Sequence, residues 1–157
     1  MAAKILIVDD HEIVRRGIRF LLSELRPDWE ICGEAGGGAA AIEGVKKLEP
    51  DVVILDIAMP FMSGIEAASR IAKMGTKSRV LLFTMYESER LVTEAQQAGA
   101  QGYVLKSQAA HHLVQAIDRL LAGGTFFGGP TPESEPSMGT PPRHGLIYYW
   151  DLGFSAA

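Results

Sequence analysis

Five short apolar runs recur along the chain, and between them the apolar residues fall at helical rather than alternating spacing; no other feature restricts the fold as strongly. The runs occupy residues 4–8, 29–33, 52–55, 80–83 and 102–105. The third and fourth, VVIL and VLLF, are continuous rather than alternating, the pattern of strands covered on both faces. The first intervening stretch repeats Ile13, Val14, Ile18, Leu21, Leu22 and Leu25 and stops at Arg26-Pro27, where proline cannot continue a helix. Helical spacing returns over about 39–48, 64–74, 87–97 and 109–121. Strand and helix thus alternate five times in about 122 residues. Connections of that length leave right-handed βαβ crossovers and an α/β, doubly wound parallel sheet with helices on both faces. Ligands of such sheets bind beyond the carboxyl ends of the strands, where the strand order reverses.

Composition sets the outer bounds. A chain of 157 residues is one domain with at most an appendage, and 47% hydrophobic residues can fill a core. The net charge of −4, with Lys and Arg scattered, argues against a broad nucleic-acid footprint. The single cysteine, Cys32, lies in a strand-like stretch and reads as a small apolar residue. No charged-then-apolar leader precedes the first run and no apolar run approaches the roughly 20 residues that span a bilayer, so the expected compartment is the cytoplasm, with no membrane partner.

The strand ends carry chemistry. The first run, ILIV, leads into Asp9-Asp10; the third ends in Asp56, the fourth in Thr84 and the fifth in Lys106. The second, ending near Glu34-Ala35-Gly36, offers no equivalent convergent group. Two adjacent acids at the tip of a buried strand repel by roughly 4 kcal/mol at about 4 Å and an effective dielectric near 20, so either water or a cation must attend them. Clustered carboxylates resist ionisation without a compensating charge. Oxygen ligands with room for water suit Mg²⁺. A lysine is a point charge for phosphate, and a threonine hydroxyl can donate to a phosphoryl oxygen. Together they describe a phosphoryl-transfer site, where positioning and charge neutralisation do most of the work.

Asp9-Asp10, Asp56 within DIAMPFMSG, Thr84, and Lys106 within GYVLKS together resemble the receiver domain of bacterial two-component response regulators. DIAMP, GYVLK and RLLAGGTFF are similar to the NarL/FixJ subfamily, and the resemblance covers about residues 4–127. It implies a flavodoxin-like five-stranded sheet of order 2-1-3-4-5. It implies that Asp56 accepts a phosphoryl group from a phosphohistidine on a sensor histidine kinase. It further implies that Asp9 and Asp10 hold Mg²⁺ together with Asp56 and the backbone carbonyl of Ala58. Thr84 and Lys106 then bind the phosphoryl group, Pro60 shapes the loop after Asp56, and Tyr103 is the switch aromatic that turns inward with Thr84. On phosphorylation a surface made by the fourth helix, fifth strand and fifth helix changes state, with a homodimer as one outcome. The protein is expected to be a phosphoacceptor with self-catalysed phosphorylation and dephosphorylation rather than a turnover enzyme. Met85, bulkier than the residue many receivers carry after the threonine, is expected to slow the approach of water to the phosphoryl group.

Plainer roles exist for each residue. Asp10 could cap the helix that starts near Glu12, Thr84 could form a local side-chain turn, and Lys106 could be a solvated charge. His11 reads as a solvated first-turn residue. His111 and His112, adjacent on a helix, face different directions and make no metal pair. Gly36-Gly37-Gly38 lacks the Lys-Ser/Thr of a phosphate loop and reads as a flexible connection.

Domain organisation is read as a receiver over residues 1–124 and a Pro/Gly-rich tail over 125–157. From Gly128 onward the chain holds five of its eight prolines, with an apolar knot, LIYYW, at 146–150. A NarL/FixJ regulator normally continues into a helix-turn-helix domain, and no pair of amphipathic helices joined by a tight turn follows here, so DNA binding is not expected of this chain. A truncated NarL/FixJ-type transcriptional regulator is the alternative organisation. The rival chemistries are an aspartyl-phosphate hydrolase, for which Ala58 stands where a general acid is needed, and a flavin module, for which Asp-Asp-His-Glu stands where a phosphate loop is needed.

Overall fold

The computed structural model describes residues 2–127. The chain runs β1 (Lys4–Val8), α1 (Glu12–Leu25), β2 (Glu30–Ala35), α2 (Gly38–Leu48), β3 (Val52–Leu55), α3 (Gly64–Lys73), β4 (Arg79–Thr84), α4 (Glu89–Gln97), β5 (Gly102–Leu105), α5 (Ala109–Leu121) and β6 (Phe126–Phe127). All neighbouring strands are parallel, in the order β2-β1-β3-β4-β5-β6.

Strand pleating divides the core in two. Ile5, Ile7, Val52, Ile54, Leu81 and Phe83 point to one face and pack with Ile18 and Leu22 of α1 and Leu113, Ile117 and Leu120 of α5. Leu6, Val8, Val53, Leu55 and Leu82 point to the other and meet Ala41 and Val45 of α2, Ala67, Ala68 and Ile71 of α3, and Ala95 of α4. The small residues on α2, α3 and α4 let those helices lie close to the sheet. The central strands β1 and β3 are buried almost throughout, which is why their sequences show no alternation.

The sheet has six strands rather than five. Past α5 the chain turns at Gly123, whose φ of 93° suits a residue without Cβ, and Phe126-Phe127 run beside Gly102-Tyr103. Phe126 is buried against the α5 side, with the His112 ring 5.8 Å away. A two-residue strand has no period to read, so the boundary expected at residue 124 falls short of the sheet's last strand. The rest of the expected tail, with its knot at 146–150, lies outside the described residues. Smaller adjustments concern β2, which runs 30–35 rather than 29–33, and β4, which extends through Thr84.

Candidate functional site

The register aligns Val8 with Leu55, Leu55 with Leu82, and Thr84 with Leu105, so the residues that follow come out on one edge of the sheet. Asp9, Asp10, Asp56, Thr84 and Lys106 meet there. Lys106 begins a single 3₁₀ turn over Lys106–Gln108 and is 14% exposed. Its Nζ donates to Asp9 Oδ2 at 2.8 Å and lies 3.5 Å from Asp56 Oδ1. It is therefore an ion-pair partner of two buried carboxylates and not a solvated charge.

The paired acids differ in kind. Every polar atom of Asp9 is engaged. Its amide donates to the Ala35 carbonyl at 3.1 Å, and its carbonyl accepts from Arg15 Nη1 at 2.7 Å. Its Oδ1 accepts from the His11 amide at 2.9 Å, and its Oδ2 accepts from Lys106. Asp10 Oδ1, by contrast, is buried and accepts no hydrogen bond; His11 Nδ1 is near, at 3.3 Å, but not aligned to donate. A desolvated acceptor left in this way costs about 1–3 kcal/mol. Nor does Asp10 cap α1: the N-cap is His11, and no side chain caps that helix.

These features fit a hard divalent cation. Asp9, Asp10 and His11 each offer a donor atom, all within 4.8 Å of one another. In the loop after β3, the Ile57 carbonyl is taken by the Met59 and Gly64 amides and the Pro60 carbonyl by the Met62 amide, whereas the Ala58 carbonyl accepts no hydrogen bond among the described residues. An unpartnered carboxylate oxygen, an unpartnered carbonyl and further carboxylates nearby are the oxygen-rich donor set that suits Mg²⁺. Asp9, Asp10, Asp56 and the Ala58 carbonyl are the expected ligands; of these, Asp9 and Asp10 fall within that cluster of donor atoms and Asp56 does not.

Asp56 is 4% exposed, and its pKa is pushed up to about 6. Burial is the largest cause and the Asp9 charge the next; the Lys106 charge and hydrogen bond oppose them, and Asp10 adds a smaller upward push. A cation at the acidic edge would reverse that balance and keep Asp56 ionised. The carboxylate is held between an ammonium and two acids, poised to react with an electrophile that arrives with compensating charge.

Thr84 is fully buried as the last residue of β4, and its Oγ1 accepts from the Tyr86 amide at 3.3 Å, a long and weak bond. The plain side-chain turn therefore exists, and it leaves the hydroxyl hydrogen available. Tyr103, on β5, is buried with its ring inward, and its hydroxyl donates to the Tyr86 carbonyl at 2.5 Å. Burial, with Glu87 second, raises that hydroxyl above its usual range. The Tyr86 peptide is thus gripped from both ends, by Thr84 at its N–H and Tyr103 at its C=O. Met85 is 71% exposed, so much of its side chain stands in solvent beside the site.

Several supporting residues escaped the sequence reading. Gly64 opens α3 so close to the Asp56–Ile57 backbone that a Cβ would collide with the Asp56 carbonyl oxygen. Its amide donates to Ile57 at 2.8 Å, and Ser63 Oγ caps the helix by accepting from the Glu66 amide. Gly38 begins α2 and leaves space for Met62, whose Sδ would sit 2.7 Å from a Cβ there. β2, expected to contribute nothing, supplies Glu34, whose carboxylate accepts from Arg15 Nε and Arg19 Nε, each at 2.9 Å. The available signal was Ser-Gly-x-Glu for α3, and Arg15 one turn after His11 for the Glu34 pair. His111 and His112 stack edge-on with centroids 6.5 Å apart near the start of α5.

Residues 5–118 match the family model described as the response regulator receiver domain. The transcriptional regulatory protein LnrK of Bacillus subtilis is 39% identical over 77% of this chain and 54% of its own length. The nitrate/nitrite response regulator protein NarL of Escherichia coli is 36% identical over 77% of this chain and 56% of its own. The chain thus spans about half the length of these curated relatives. Among solved structures, a LuxR-family two-component response regulator from an Aurantimonas species superposes with a TM-score of 0.76 at 40% identity, covering 80% of this chain and 89% of that one.

Proposed function

The chain belongs to the response regulator receiver domain family, and from that premise we propose that it is a Mg²⁺-dependent phosphorylation switch with Asp56 as acceptor. The observation that carries this reading is Lys106 buried between Asp9 and Asp56, beside an Asp10 oxygen with no partner. The donor is a phosphohistidine of a sensor histidine kinase. An Asp56 carboxylate oxygen attacks phosphorus, the P–N bond breaks, the imidazole leaves with the bonding pair, and an acyl phosphate remains. Bound Mg²⁺ supplies charge neutralisation to the phosphoryl oxygens. Lys106, already 3.5 Å from Asp56 Oδ1, turns from Asp9 to the phosphoryl group. Asp9 keeps its three other polar contacts and so stays in place.

Thr84 then donates its hydroxyl to a phosphoryl oxygen and draws away from the Tyr86 amide. Because Tyr103 holds the carbonyl of the same residue, a shift at Thr84 is passed to β5 and the start of α4. The switched surface is made of α4, β5 and α5. Moving such a switch from 1:99 to 99:1 requires about 5.5 kcal/mol of differential stabilisation. New charge-assisted bonds from Thr84 and Lys106, with the metal, are of that order.

Hydrolysis of the acyl phosphate is self-catalysed and slow, because Ala58 offers no side chain to take a proton from an attacking water. The protein therefore acts as a stoichiometric switch in the cytoplasm rather than as a phosphatase. The relatives' own names point to transcription as the output, a role the proposal assigns to a longer assembly in which this domain takes the input; a phosphorylation-dependent homodimer is the expected route. Labelling with a phosphodonor kinase tests the acceptor: Asp56→Asn should lose the label entirely, and a label retained on that variant at the same edge would overturn the assignment.

A further inference from the structure

Arg15 lies outside the acidic cluster, yet among the described residues it is the one side chain that grips the main chain between Asp9 and Asp10. Its Nη1 donates to the Asp9 carbonyl at 2.7 Å, and its Nε donates to Glu34 Oε1 at 2.9 Å. Glu34 is fixed in turn by Arg19 at 2.9 Å. The Arg15 side chain is largely covered, at 19% exposure, whereas Glu34 is an exposed residue whose carboxylate is held by two guanidinium groups. The Asp9 amide is tied to Ala35 on the same strand, β2, that carries Glu34. The peptide that aims the Asp10 side chain is therefore anchored to β2 twice: by its neighbour's amide directly, and by the Asp9 carbonyl through Arg15 and Glu34.

On the reading that Asp10 is a metal ligand, we infer that Arg15 is a positioning residue that sets the orientation of the Asp9–Asp10 peptide and so holds the unpartnered Asp10 carboxylate ready for a divalent cation. Lys106 holds the Asp9 carboxylate, whereas Arg15 holds the Asp9 carbonyl and so acts on the peptide rather than on the side chain. Without Arg15 the peptide plane is free to rotate and the Asp10 oxygen can leave its buried position to find water or the His11 ring.

The sign of the effect separates this role from electrostatics. A guanidinium near a dication site repels the ion, so removing its charge alone would tighten binding. Loss of positioning weakens binding, and outer-sphere partners of metal ligands are typically worth roughly 10–100-fold in affinity. The test is titration of the metal-free full chain with Mn²⁺, following the free-ion EPR signal. Wild type should bind Mn²⁺ in a manner abolished by Asp10→Asn. Arg15→Met, which keeps the aliphatic stem, should weaken binding about tenfold or more, and Arg15→Lys should recover part of it. Arg19→Met, which removes a nearby positive charge without freeing the Asp9 carbonyl, should stay within about twofold of wild type.

If Arg15→Met binds as tightly as wild type or more tightly, the positioning role is wrong while the metal site stands. If Arg19→Met weakens binding as much as Arg15→Met, the effect belongs to the Glu34 cluster and not to the Asp9 contact, and the inference again fails. If wild type shows no Asp10-dependent Mn²⁺ binding, the metal reading fails and takes this inference with it. Circular dichroism of the metal-free variants checks folding, and Arg15→Gln carries the same test of sign should Arg15→Met not fold.

Discussion

Replacing the phosphoacceptor should make the metal-free protein more stable, because the ionised Asp56 is held against burial and the Asp9 and Asp10 charges. Its pKa lies at about 6 against an ordinary 3.8, an interval worth about 3 kcal/mol. The folded state holds this proton more tightly than the unfolded state. The stabilisation that comes from protonated Asp56 is therefore complete below about pH 3.8, declines as the pH rises towards 6, and is absent above it. At pH 7.5 the native protein carries the full penalty. Asp56→Asn removes the charge at nearly constant volume and keeps an acceptor for Lys106, so urea denaturation in EDTA at pH 7.5 should give a variant more stable by up to about 3 kcal/mol. The advantage should shrink steadily as the pH is lowered to 4. Saturating Mg²⁺ should stabilise wild type, by about 2.7 kcal/mol at one hundred times its dissociation constant, and stabilise Asp56→Asn far less. An Asp56→Asn protein no more stable than wild type at pH 7.5 without metal would refute the electrostatic account of the site.

Thr84→Ala should still be phosphorylated but lose the accompanying change at α4 and β5, read as unchanged amide exchange before and after labelling; a normal response would remove Thr84 from the switch. Met85→Ala should shorten the lifetime of the acyl phosphate, measured by loss of label after removal of donor, and an unchanged or longer lifetime would show that this exposed side chain does not restrain water. Gly64→Ala should cost more than about 3 kcal/mol in denaturation and slow phosphorylation, since its Cβ meets the Asp56 carbonyl rather than a movable side chain. Phe61, fully exposed with a φ of 68°, gains nothing from its ring, so Phe61→Gly should raise stability by about 1 kcal/mol in the same assay, and a loss would mean the ring makes a contact that its exposure hides.

The elements that sequence resolved were those whose neighbours leave a periodic trace. VVIL and VLLF are continuous because β3 and β4 are buried on both faces, and α1 and α5 declare themselves through Ile18, Leu22, Leu113 and Ile117. Asp9, Asp56, Thr84 and Lys106 were legible because each stands at the end of such a strand, where order in the chain becomes proximity in the fold. The sixth strand left no trace: Phe126-Phe127 is too short for a pattern and is held by pairing with β5. Arg15, Glu34 and Gly64 were also hidden. Their roles depend on where a guanidinium reaches across from α1 to β2, and on how closely α3 approaches the Asp56 backbone. Neither distance is encoded in spacing along the chain. The contrast between a fully bonded Asp9 and an Asp10 with an orphaned oxygen is likewise invisible in two identical adjacent letters.

The central claim is that a divalent ion at the acidic edge lets Asp56 take a phosphoryl group. Intact-mass spectrometry of the purified chain with acetyl phosphate, in Mg²⁺ and in EDTA, measures this directly. One phosphoryl adduct that forms only with the metal and maps to Asp56 is the predicted result; an adduct that forms equally well in EDTA, or none under either condition, would contradict it.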